Sequence, residues 1–143
     1  MLRYALLVLL AACGASYQTI QIKNATTRPI EELYVYPTGA AKGTSRGQLT
    51  PGATTQVKIQ GGHVSVTAVS AKIQIDEHTR DRPTASQELE LKAPVELVFY
   101  DDGSAPPGIE RKGTIGVAFQ LPSHAPHPDE PTTQPAPEAP QAP

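Results

Sequence analysis

Along residues 17–121 apolar and polar positions alternate with a period of two. Ile20 and Ile22 fall on one side and Thr19, Gln21 and Lys23 on the other. Val57 and Ile59 alternate with Gln56 and Lys58, and Val64, Val66 and Ala68 with Ser65 and Thr67. Leu89 and Leu91 alternate with Glu88, Glu90 and Lys92, and Ile115, Val117, Phe119 and Leu121 with Thr114, Gly116, Ala118 and Gln120. Extended backbone turns successive side chains to opposite faces, so this pattern predicts half-buried strands. Pro37-Thr38-Gly39, Thr50-Pro51-Gly52, Gly61-Gly62 and Asp101-Asp102-Gly103 supply the turn residues between them. The helical period is absent.

The pattern resolves into seven strands, near 17–23, 30–36, 54–60, 63–75, 86–92, 95–100 and 113–121. Strands at this spacing without helices predict an all-β fold, a single antiparallel β-sandwich. Two of them are irregular. Within 63–75 the apolar face switches between Ala68 and Ile73, which predicts a bulge or corner near Ser70. Within 30–36, Leu33 and Val35 lie on one face and Tyr34 and Tyr36 on the other, so this strand is either central or presents a face for use. Tyr34, Tyr36 and Tyr100 are the candidate binding surface, because tyrosine combines a large contact area with a polar tip.

The two ends are built differently. Residues 1–12 open with Arg3 and continue as an apolar run over 4–10, followed by small residues. That is the order of an export signal, and it is too short to span a bilayer as a stable helix. Leu10-Ala11-Ala12-Cys13 resembles the bacterial lipobox, and Gly14 follows it. The resemblance implies cleavage before Cys13, acylation of its thiol and a lipid anchor in a bacterial cell envelope. Glycine rather than aspartate at position 14 implies onward transfer to the outer membrane. Cys13 is the chain's single cysteine, so no internal disulfide can form, and lipidation accounts for the leftover thiol. At the other end, prolines recur at 122, 126, 128, 131, 135, 137, 140 and 143 with few apolar side chains between them. Such a segment cannot bury enough surface to offset ordering, and 122–143 is expected to be a disordered tail reaching roughly 70 Å at most. The organisation expected is signal 1–12, tether 13–19, sandwich 20–121 and tail 122–143.

A further resemblance lies inside the sandwich. Asn24, Thr26, Ile30, Leu33, Tyr34, Val35, Pro37, Leu49, Pro51 and Gly52 follow a pattern similar to a β-sandwich module of bacterial secreted proteins of unknown function. The Trp-Gly found in that module's loop is missing, as the chain has no tryptophan. The resemblance implies a fold and no activity.

Charge and chemistry narrow the function classes. A net charge of −2 offers no basic field for nucleic acid or anionic headgroups, and no nucleic-acid partner is expected. No serine sits in a Gly-x-Ser-x-Gly elbow. Asp76-Glu77-His78 with Asp81 is the densest set of metal-type ligands, but it lies between a strand and a loop and reads as a solvated turn. His124 and His127 fall in the tail without a fixed geometry. Asp101-Asp102-Gly103-Ser104 lacks the spaced oxygen ligands of a calcium loop, since Glu110 follows two prolines, and reads as a turn. Asn24-Ala25-Thr26 matches a glycosylation acceptor by pattern only. The expectation is a non-enzymatic binding or assembly module without cofactor or metal. Its partners are the bilayer, through acylated Cys13, and an envelope protein or glycan. The alternatives are a structural spacer or coat lipoprotein, and an envelope hydrolase with a carboxylate site.

Overall fold

Nine strands and no helix form among the residues that the computed structural model describes, which are residue 14 and 16–122. They are β1 (Tyr17–Asn24), β2 (Ile30–Pro37), β3 (Thr54–Gln60), β4 (Gly62–Ser70), β5 (Ile73–Gln74), β6 (Arg80–Asp81), β7 (Thr84–Leu91), β8 (Val95–Asp101) and β9 (Thr114–Phe119). One sheet runs β3-β1-β8-β9 and the other β2-β4-β7, while β5 and β6 pair as a short hairpin. Their facing sides are the apolar sides of the alternation. Ile20, Ile22, Val57, Leu97, Phe99, Val117 and Phe119 of the first sheet meet Leu33, Val35, Val64, Val66, Ala68, Leu89 and Leu91 of the second. Phe99 and Phe119 stack at a tilt with ring centroids 5.7 Å apart. Such a pair adds about 0.5–1.5 kcal/mol to the burial of its area.

The sandwich is as expected, and three details differ. Nine strands replace seven because the segment 63–75 divides into β4 and β5, and residues 80–81, expected as loop, pair with β5 as β6. β4 stops at Ser70, where the Ser70 amide donates to the Pro83 carbonyl (2.9 Å) and the Ala71 amide to the Pro29 carbonyl (2.9 Å). The chain then leaves the sheet and forms the separate β5–β6 hairpin. The irregularity expected near Ser70 is present, carried by the partner strand: the β2–β4 register shifts between Ile30 and Glu32, opposite Ser70 and Val69.

The second difference is direction. β1–β3, β2–β4 and β4–β7 are antiparallel, but β1–β8 and β8–β9 are parallel, so the four-stranded sheet is mixed. Two adjacent parallel strands cannot be joined by a tight hairpin and need a crossover of about a dozen residues. Residues 102–113 supply it.

The third difference is at the ends. β9 finishes at Phe119 and Leu121 is 40% exposed, so the expected strand to 121 is two residues too long. β1 begins at Tyr17, ahead of the sandwich boundary placed at 20. β2 is an edge strand and not central. The expected signal 1–12, Cys13 and residues 123–143 of the expected tail lie outside the described residues.

Candidate binding surfaces

Asn24, Thr26, Leu49 and Gly52 of the motif form one polar knot at the far end of the sandwich, where β1 finishes. Asn24 is fully buried; its amide donates to the carbonyls of Arg28 (2.8 Å) and Leu49 (3.0 Å), and its Oδ1 accepts from the Thr26 amide (3.0 Å). The Asn24 carbonyl accepts from the Gly52 amide (2.8 Å), which ties the Leu49-Thr50-Pro51-Gly52 turn to β1. Arg28 then bridges the sheets, with Nε on Ser70 Oγ (3.0 Å) and both terminal nitrogens on the Asp101 carboxylate (2.9 and 2.6 Å). This bidentate pair explains Asp101 as a strand-end clamp. The Ser104 amide donates to the Asp101 carbonyl (2.9 Å), closing a turn that opens the crossover. A buried, doubly bonded Asn24 amide leaves no room for a glycan.

Tyr34 and Tyr36 stand on the outward side of β2, half-buried and two residues apart. Ser65 and Thr67 of β4 lie beside them and are buried although they face outward. The Thr67 hydroxyl reaches Ser86 Oγ (2.9 Å) and the Tyr36 hydroxyl (3.3 Å), and Ser65 Oγ pairs with Thr38 Oγ1 (2.9 Å). Each buried hydroxyl therefore has a partner, as burial demands. The Tyr34 hydroxyl donates to Glu32 Oε2 (2.8 Å), and Arg82 reaches Glu31 (2.7 Å) and Glu32 (3.2 Å). The Tyr34 hydrogen bond, assisted by Arg82 and Lys42, holds the Glu32 carboxyl below its ordinary range. The same bond raises the Tyr34 phenol. Lys42 Nζ sits over the Tyr34 ring, 5.6 Å from its centroid.

Tyr100 does not join this surface. It lies on the outward side of the other sheet, where the crossover folds back over β8 and β9. A Cβ on Gly116 would collide with the Ile109 side chain and stand 2.9 Å from Tyr100 Cε1, so only glycine lets the crossover seat. Val98 is 5% exposed on this side, outside the main core, and lines a small cavity of about 170 Å³ with Pro106, Pro107, Ile109 and Lys23. Alternation tells which side of a strand a tyrosine takes, and is indifferent to which sheet that strand enters.

A groove of about 530 Å³ separates the edges β2 and β3 at the entry end, where β1 begins. Val35 and Ile59 line it beside Tyr17 and Tyr36, and Lys42, Arg46 and Lys58 are its charged residues. No single stretch of sequence shows it, because the three cations come from two segments. A signal was present: between Pro37 and Leu49 the loop carries Lys42 and Arg46 and no acidic residue.

Asp76, Glu77, His78 and Asp81 form the β5–β6 hairpin, in which Asp76 Oδ1 accepts from the amides of His78 and Thr79 (both 2.8 Å). The carboxylate shapes the turn. Among the described residues no three His, Cys, Asp or Glu side chains gather as a metal site. No family model, curated protein or solved structure matches the chain.

Proposed function

We propose that the chain is a lipid-anchored protein of a bacterial envelope whose sandwich is a non-enzymatic binding module for another envelope component, a protein or a glycan. The anchoring half rests on Leu10-Ala11-Ala12-Cys13 after an apolar run. The observation that supports binding is the outward side of β2. An edge strand there presents half-buried Tyr34 and Tyr36 beside hydroxyls that already have partners, so the face is aromatic, and among the described residues Lys42 lies over the Tyr34 ring. Interfaces favour tyrosine for this combination of area and polar tip.

Both halves can be tested separately. Cys13→Ser is expected to release the protein from the membrane pellet on fractionation, since lasting attachment needs more than one acyl chain. Retention like that of the unaltered chain rejects the anchor. For the binding half, Tyr34→Ala with Tyr36→Ala should abolish capture of a partner from solubilised membranes while the fold survives. Undiminished capture, or no specific capture by either protein, favours the spacer reading.

A further inference from the structure

We infer that the cationic groove between β2 and β3 docks on the anionic phospholipid surface to which the anchor holds the chain, so that the entry end of the sandwich is seated against the bilayer. The inference rests on the proposed acylation of Cys13 and adds to it an orientation and a lipid class.

Composition argues against such a surface, and the fold creates it. Residues 16–122 carry eleven basic and eleven acidic side chains, so the folded part is neutral as a whole. Yet the side chains lining the groove include Lys42, Arg46 and Lys58 and no carboxylate. Among the described residues none of the three is in an ion pair, whereas Arg28, Arg82 and Lys92 are. The carboxylate that acts on Lys42 from nearby is Glu32, which is already bound to Tyr34 and Arg82.

Position supplies the occupant. Tyr17, a groove residue, lies four residues after Cys13, and an extended chain of that length spans about 14 Å at most. The Tyr17 side of the groove is therefore held within about two Debye lengths of the headgroups at physiological salt. Tyr17 is 59% exposed, an amphipathic ring suited to the interface between water and lipid. At the opposite end, near Ser70 and Asp101, Asp76, Glu77, Asp81 and Asp102 outnumber Lys72 and Arg80, while Glu90 at the entry end is paired with Lys92, so the charge asymmetry agrees in sign with this orientation. A cation at an anionic surface strengthens attachment about fivefold.

The test uses the acylated full chain in vesicles of phosphatidylcholine alone, or with one third phosphatidylglycerol. The readout is the rate at which a water-soluble acetylating reagent modifies each lysine. Lys42 and Lys58 should react several-fold more slowly in the anionic vesicles, and Lys72, at the far end, at an unchanged rate. Molar salt should erase the difference, and Arg46→Gln should reduce it. Equal rates in both vesicles, or a slowing shared by Lys72, overturns the proposal. So does protection seen without vesicles and abolished by removing 123–143, because the acidic tail is then the occupant. The mass of the N-terminal peptide reports acylation independently. A chain lacking the acyl mass fails the anchor, and its co-sedimentation with anionic but not neutral vesicles then still reads the groove.

Discussion

The two sheets of the sandwich solve the same problem on their outward sides in opposite ways. The four-stranded sheet lays the 102–113 crossover over Val98 and Tyr100, burying apolar surface under a second layer of chain. Among the described residues the three-stranded sheet has no such crossover, and Lys42 lies over the Tyr34 ring. Its central strand carries Ser65 and Thr67, whose hydroxyls pair laterally beneath Tyr34 and Tyr36. An outward face buried by a loop is committed to structure. One that satisfies its own polar groups stays open to a partner, and on that difference rests the proposal that the β2 side is the binding face.

The largest expected effect tests the interior that both sheets share. Val117→Asp or Phe119→Asp places an unpaired charge at a position 5% or 0% exposed, and either should leave the domain unfolded at 25 °C. Thr114→Asp and Gln120→Asp on the outward side of the same segment should be mild. Thermal melts of the four variants check the register, and equal behaviour of the two pairs would refute it.

Next comes the covered face. Gly116→Val should drive Ile109 off the sheet and cost about 1–3 kcal/mol by denaturant titration. Its counterpart on the open face is Thr67→Val, which strips the Tyr36 and Ser86 hydroxyls of their partner at a cost of about 1 kcal/mol. If Thr67→Val proves the costlier, the hydroxyl row is as structural as the crossover and the contrast between the faces collapses.

A smaller effect is pH dependence. The Glu32 carboxyl is held below its ordinary value, so its contribution to stability is full at neutral pH and is lost as pH falls through the lowered folded value. Glu32→Gln should flatten the acid side of the stability curve, and an unchanged curve would rule this out. Smallest of all is deletion of 122–143, which should leave the melting temperature nearly unchanged, since no alternating apolar pattern continues past Leu121. A loss of several degrees would contradict the reading of that segment as a tail.

Much of the fold was legible because burial writes itself into a period of two. Ile20, Ile22, Val64, Val66, Val117 and Phe119 all sit where alternation placed them. Strand direction left no trace in that signal: the same alternation serves parallel and antiparallel neighbours, so the β1–β8 and β8–β9 pairing was hidden. The β5–β6 hairpin was hidden because residues 76–81 are polar throughout, and its order comes from Asp76 bonding its own backbone. For the candidate surface, Tyr34 and Tyr36 were readable as neighbours on one strand. Tyr100 was not separable from them, because its sheet is decided by chain crossing far from its own sequence. The groove cations escaped for a related reason, as neutrality summed over the domain conceals charge gathered at one end.

The run of β1, β8 and β9 in a common direction has a mechanical consequence. Tyr17 and Phe119 lie at opposite ends of that layer, so a pull that separates them slides β1 along β8 and β8 along β9. The ladder bonds are then strained together as a set rather than opened one after another. Unfolding under tension is governed by the barrier to rupture, and loading in shear raises it. A tethered domain held at Tyr17 and tugged beyond Phe119 would thus yield at higher force than one whose first and last strands peel away like a zip.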